Sequence, residues 1–146
     1  MLNAKARSWV RSGPFSKKLR HEGNRGEACK CPTCMREMQH IPEQSPFNYA
    51  DLIDYREGQI TSLALLRSKG VNITILAFDD EQLLPTHQTP GPALVQVVDG
   101  TAYFTIGNAE ADLSQGEALM IPAGVPHSVI ARERFKMLVT SILPLD

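Results

Sequence analysis

Two histidines in the second half of this chain stand beside proline- and glycine-marked turns. His87 lies within Leu84-Pro85-Thr86-His87-Gln88-Thr89-Pro90-Gly91-Pro92, and His127 ends Pro122-Ala123-Gly124-Val125-Pro126-His127. Imidazoles change charge near neutral pH and ligate divalent metals, so a pair brought together can move protons or hold part of a metal shell. A second set of chemically capable residues is Cys29, Cys31 and Cys34, with His40 six residues on. Four such donors could hold one zinc ion. The cluster lacks a second Cys-x-x-Cys pair and any flanking strand or helix pattern, so two readings stand: a zinc knuckle, or a reduced, unstructured thiol cluster. No cysteine occurs after Cys34, which excludes a disulfide framework downstream.

The elements that would position the histidines read as strands. Gln59 to Leu66 is one, followed by the turn Arg67-Ser68-Lys69-Gly70. Val71, Ile73, Ile75 and Ala77 alternate with Asn72, Thr74, Leu76 and Phe78, the period of a strand. Ala93 to Val98 is a short apolar run, and Ala102, Phe104 and Ile106 alternate after it; Asp99-Gly100 between them predicts a hairpin. Gly107-Asn108 and Gly116 mark further turns, Val129 and Ala131 continue from His127, and Phe135 to Leu143 supplies a last strand. Upstream, Asn48 is placed to cap a short turn through Ala50-Asp51-Leu52. About seven or eight short strands at roughly ten-residue spacing, with no long helical pattern, predict an all-β sandwich or closed barrel.

Residues 1–46 differ in character. Gly13-Pro14, Gly23, Gly26, Pro32, Pro42 and Pro46 interrupt every candidate element, and apolar residues are sparse. Residues 1–38 carry nine Lys or Arg against three acids, a net +6, whereas the remainder of the chain is −7. The expectation is a disordered, basic, cysteine-containing leader over 1–46 and one barrel domain over 47–146, within the usual size of a single domain. The leader is also compatible with a transit peptide, or with an upstream extension ahead of Met35 or Met38. Nine charges scattered through Gly and Pro read as a solvated tail rather than a nucleic-acid surface. No apolar run approaches the ~20 residues that span a bilayer, and the first twenty residues lack a signal-peptide core. A cytoplasmic protein with no membrane or nucleic-acid partner is expected.

Two stretches go beyond general strand pattern: Leu84 to Gly100, and Gly116-Glu117-Ala118-Leu119-Met120-Ile121-Pro122-Ala123-Gly124-Val125-Pro126-His127. Together they resemble the paired motifs of the cupin superfamily, over about residues 47–146. The second stretch matches the family's Gly, five residues, Pro-x-Gly, two residues, His pattern at every spacing. The resemblance implies a single small jelly-roll barrel, a double-stranded β-helix, and it favours a homodimer. It also implies metal ligands at the positions of His87, Thr89, Ala93 and His127, where the family has His, His, Glu and His. Only His87 and His127 remain, and Ala131 stands where an Asn often follows.

The resemblance thus leaves a reduced two-histidine site, with His87 and His127 as candidate ligands for Fe, Mn, Ni, Zn or Cu. Glu117 reads as a structural turn acid, and period two points Gln96 to the face opposite Ala93, Val95 and Val97 unless a bulge near Pro92 reverses it. Thr89 offers a neutral hydroxyl, a poor ligand for most divalent ions. Three functions follow: a small metal-assisted enzyme of oxygenase or isomerase type, a non-catalytic small-molecule-binding or sensor barrel without metal, and a dimeric structural module. In the first two a small-molecule pocket with a rather apolar wall lies behind the histidines, and in the third that pocket is vestigial.

Overall fold

The computed structural model describes residues 38–144. Nine strands form among them: β1 (Ile60–Arg67), β2 (Val71–Phe78), β3 (Leu83–His87), β4 (Ala93–Asp99), β5 (Thr101–Ile106), β6 (Ala109–Ser114), β7 (Ala118–Ile121), β8 (His127–Ile130) and β9 (Phe135–Ile142). They make a five-stranded sheet in the order β1-β2-β9-β4-β7 and a four-stranded sheet in the order β3-β8-β5-β6. Every pairing is antiparallel. The all-β expectation and the jelly-roll architecture hold. The alternation read over Val71 to Phe78 spans β2 to the residue.

That alternation divides the apolar residues between two cores. Phe78, Ala93, Val95, Val97, Phe104 and Phe135 point between the sheets, where Phe78 and Phe135 stack with ring centroids 4.4 Å apart. Leu65, Ile75, Ala77 and Leu138 lie on the outer face of the large sheet. They are covered by the segment before β1: Ile41, Tyr49, Leu52, Ile53 and Tyr55 pack onto them. Contact with the barrel therefore begins upstream of Phe47, since Gln39 also donates its N–H to the Leu65 carbonyl at 2.7 Å. Within the covering segment, Tyr49–Leu52 is a 3-10 turn preceded by Asn48. The Asn48 side chain makes no cap; its carbonyl accepts from the Asp51 N–H instead.

Polar bonds anchor the same segment to the end of the barrel away from the histidines. The Tyr55 hydroxyl donates to Asp99 at 2.6 Å, and burial followed by that bond pushes the phenol pKa up, so it remains a donor. Lys136, almost buried, donates to the Ala50 carbonyl at 2.6 Å and sits 4.7 Å from the centre of the Tyr55 ring. Asp79 accepts from the Gly58 N–H and from Arg134 Nε, each at 2.6 Å.

The hairpin predicted at Asp99-Gly100 does not form. β4 pairs with β7 and β9, and β5 pairs with β6 and β8, so the chain crosses here from one sheet to the other. A bulge between Val97 and Asp99 bends β4, and Gly100 turns it with φ +72°. A Cβ at Gly100 would run into the Arg134 carbonyl. Asp-Gly supplies the same local geometry to a hairpin and to a corner, and only the partner strands distinguish them. The Gly107-Asn108 turn, by contrast, does close a two-residue hairpin between Ile106 and Ala109.

Candidate functional site

His87 ends β3 and His127 begins β8, and the two residues are register partners. Their rings lie 4.2 Å apart between centroids, inclined at 61°. This juxtaposition depends on an irregularity in β3. Leu84 faces Val129, and a regular ladder would then set Thr86 against His127 and turn His87 to the outside. A register shift between Leu84 and His87 adds one residue to β3; Pro85, within that stretch, has no N–H to give a ladder. The shift brings His87 to the inner face opposite His127.

The second motif is tied to the first by the backbone. Gly124, with φ +72°, donates its N–H to the Thr89 carbonyl at 2.9 Å. Gly107 N–H donates to the Pro126 carbonyl at 2.8 Å, which seats the start of β8 against the β5–β6 turn. Glu117 accepts the Ser114 N–H at 2.9 Å, as a turn acid does, and is exposed. Gln96 is exposed on the face away from Ala93, Val95 and Val97, which are all buried; no bulge reverses it.

Both histidines line one cavity of about 130 Å³ between the sheets. Its wall is apolar, built from Leu76, Val95, Phe104, Ile121, Met137 and Val139 among others, and its polar lining consists of His87, His127, Thr89 and Ser141. No acidic or basic side chain other than the imidazoles lines it. His87 is exposed at the mouth, while His127 is 5% exposed. Each imidazole Nδ1 lies 2.9 Å from the carbonyl two residues before it, Pro85 for His87 and Val125 for His127. A carbonyl can only accept, so both Nδ1 atoms carry the proton when the rings are neutral, and both Nε2 atoms present lone pairs. Neither Nε2 has a hydrogen-bond partner among the described residues.

Thr89 and Ala93, where the cupin resemblance places the other two metal ligands, line the same cavity. The four positions that the resemblance assigns to ligands thus share one cavity, and only two of them carry histidine. Among the described residues, no group of three or more His, Cys, Asp or Glu side chains could hold a metal ion. Two neutral nitrogens and a hydroxyl, without a carboxylate, do not by themselves fit a resident divalent metal. Ser141 is a lining residue that the sequence reading did not single out. It shares the inward parity of Met137 and Val139 on β9, a signal that becomes usable only once the cavity-facing parity of β9 is known. Cys29, Cys31 and Cys34 lie outside the described residues; His40 is exposed, with φ 62°.

Comparison with known proteins gives the same fold. The Cupin domain family model matches residues 78–142, from the end of β2 to the end of β9. A conserved protein of unknown function from Streptococcus pyogenes superposes with a TM-score of 0.72 at 27% identity, over 77% of this chain and 98% of that one. A cupin superfamily protein from Desulfitobacterium hafniense does so with a TM-score of 0.71 at 30% identity, over 74% of this chain and 99% of that one. A salicylate 1,2-dioxygenase variant from Pseudoaminobacter salicylatoxidans, at 16% identity, a TM-score of 0.53 and coverage of 56% of this chain and 26% of that one, shares the fold alone. No curated protein matches the chain. Two facing sheets, both histidine motifs on one cavity, and an identity of 30% across nearly the whole of a solved cupin together mean that the chain belongs to the cupin superfamily.

Proposed function

We propose that this cupin binds a small molecule in the barrel cavity, with the polar head of the ligand held by His87 and His127 and its body against the apolar wall. The observation that carries this reading is the pair of free Nε2 atoms at a cavity of about 130 Å³ whose remaining lining is almost wholly apolar. A concave apolar site with a few convergent polar groups is the usual form of a ligand pocket. Thermal denaturation of the full chain against a library of compact apolar fragments tests it. A ligand at a hundred times its Kd stabilises the folded form by about 2.7 kcal/mol, and Ala93→Leu, which extends a side chain into the cavity, abolishes the shift while the protein stays folded. A library in which no fragment raises the Tm of the wild-type chain overturns the reading.

The adjacent lone pairs also support a second reading, a metal-assisted enzyme of oxygenase or isomerase type. His87 and His127 would supply part of a shell that waters or a chelating substrate complete. Elemental analysis of protein purified without chelator or nickel resin separates the two. Stoichiometric Fe, Mn, Ni, Zn or Cu that disappears in the His87→Ala/His127→Ala double variant selects the second; metal-free protein that still binds fragments selects the first. Assembly as a homodimer is part of either reading. Leu94 and Met120, register partners on the outer face of the large sheet, are 50% and 57% exposed and offer an apolar contact. Sedimentation at several concentrations tests it: a monomer throughout removes the dimer.

A further inference from the structure

We infer that the cavity selects ligands whose head group donates hydrogen bonds, a primary ammonium or a pair of neighbouring hydroxyls on a compact apolar body, and rejects carboxylates. This rests on the reading of the cavity as a ligand site. Three of its four polar lining groups have their hydrogens committed to the backbone. His87 Nδ1 gives its proton to the Pro85 carbonyl, His127 Nδ1 to the Val125 carbonyl, and the Thr89 hydroxyl to the Gly91 carbonyl, each at 2.9 Å. With the rings neutral, what remains on these three cavity-lining residues is two nitrogen lone pairs and a hydroxyl oxygen: acceptors only.

Ser141 alone keeps a hydroxyl hydrogen unassigned among the polar lining residues. A carboxylate head, itself acceptor-only, would therefore find one donor and several opposed lone pairs, and buried polar groups without partners are costly. An ammonium has three N–H donors, one for each of the three acceptors, and a vicinal diol has two, one for each imidazole nitrogen. The rings lie 4.2 Å apart, close enough for one head group to reach both. No Lys or Arg lines the cavity to rescue an anion. With His87 exposed at the mouth, a charged head keeps part of its hydration while the body enters the apolar interior.

Three probes with the same ring decide the matter: cyclopentylamine, vicinal cis-cyclopentanediol and cyclopentanecarboxylate. Each is titrated calorimetrically into the full chain in mildly alkaline buffer containing a chelator. The amine or the diol is expected to bind at least about tenfold tighter than the carboxylate, the scale of one or two lost hydrogen bonds. His87→Phe, which keeps a ring at an exposed position and removes one acceptor, is expected to reduce that ratio at least about threefold. A carboxylate that binds as tightly as the other two, or a ratio that His87→Phe leaves unchanged, overturns the head-group assignment while leaving the cavity a ligand site. Failure of all three probes to bind overturns the head-group assignment, while the ligand-site reading stands or falls with the fragment library.

Discussion

His87 and His127 repeat one local arrangement: each ring is turned so that Nδ1 meets the carbonyl two residues before it on its own chain segment. The repeat fixes the tautomer at both places without help from any other side chain. Asp79 shows the opposite use of a polar residue. It is 4% exposed and lies at the other end of the barrel, where the Gly58 N–H and then Arg134 hold its carboxyl below the usual carboxylate range. Because the pKa is lowered by folding, the carboxylate stabilises the native state above the unfolded value of about 3.9, and that contribution is lost as the pH falls through the folded value. Asp79→Asn is therefore less stable than wild type at neutral pH, and the gap narrows below about pH 4. Urea denaturation of both proteins at neutral and acid pH measures it; a gap independent of pH would show that the charge is not what matters.

Among the elements, two irregularities shape the site and its scaffold. The register shift in β3 places His87 inside, and the bulge before Gly100 carries the chain from the large sheet to the small one. Two turn glycines, Gly100 after that bulge and Gly124 between β7 and β8, carry different loads. Gly124 has φ +72° with open space where a Cβ would stand, so Gly124→Ala costs only the left-handed backbone, about 1–2 kcal/mol. Gly100 has the same φ but faces the Arg134 carbonyl and the Phe135 Cα and Cβ, so Gly100→Ala costs that strain plus a steric clash with backbone. Chemical denaturation of the two variants is expected to rank Gly100→Ala well below Gly124→Ala; equal stabilities would refute the tight corner at Gly100.

For the molecule as a whole, the two apolar cores have separate duties. The inner one combines a closed floor, where Phe78 stacks on Phe135, with the open cavity toward the histidines; neither phenylalanine lines that cavity. Phe135→Ala is expected to destabilise the barrel by about 3–5 kcal/mol, with probe affinity of the remaining folded protein unchanged, as read from denaturation curves and titration side by side. A change in affinity of more than a few-fold would mean that floor and cavity are mechanically one unit. The outer core holds the segment from Ile41 to Tyr55 on the large sheet, and among the described residues no helix is long and apolar enough to cross a membrane.

Local pattern in the sequence was sufficient for the strands. Period-two alternation located β2 and the inward set Ala93, Val95 and Val97, and the spacing from Gly116 to His127 identified the turn that begins β8. These features depend on side chains one or two residues apart, whose preferences are written in consecutive letters. The facing of His87 was not available that way. Period two from Leu84 points it outward, and only pairing with β8, some forty residues downstream, introduces the extra residue that turns it in. The corner at Asp99-Gly100, the covering of Leu65 by the upstream segment and the arrival of Ser141 at the cavity have the same cause. Register and sheet membership are settled by hydrogen bonds and packing between strands distant in the chain, so tertiary structure decided how His87 is turned inward and that Ser141 joins the polar groups of the pocket.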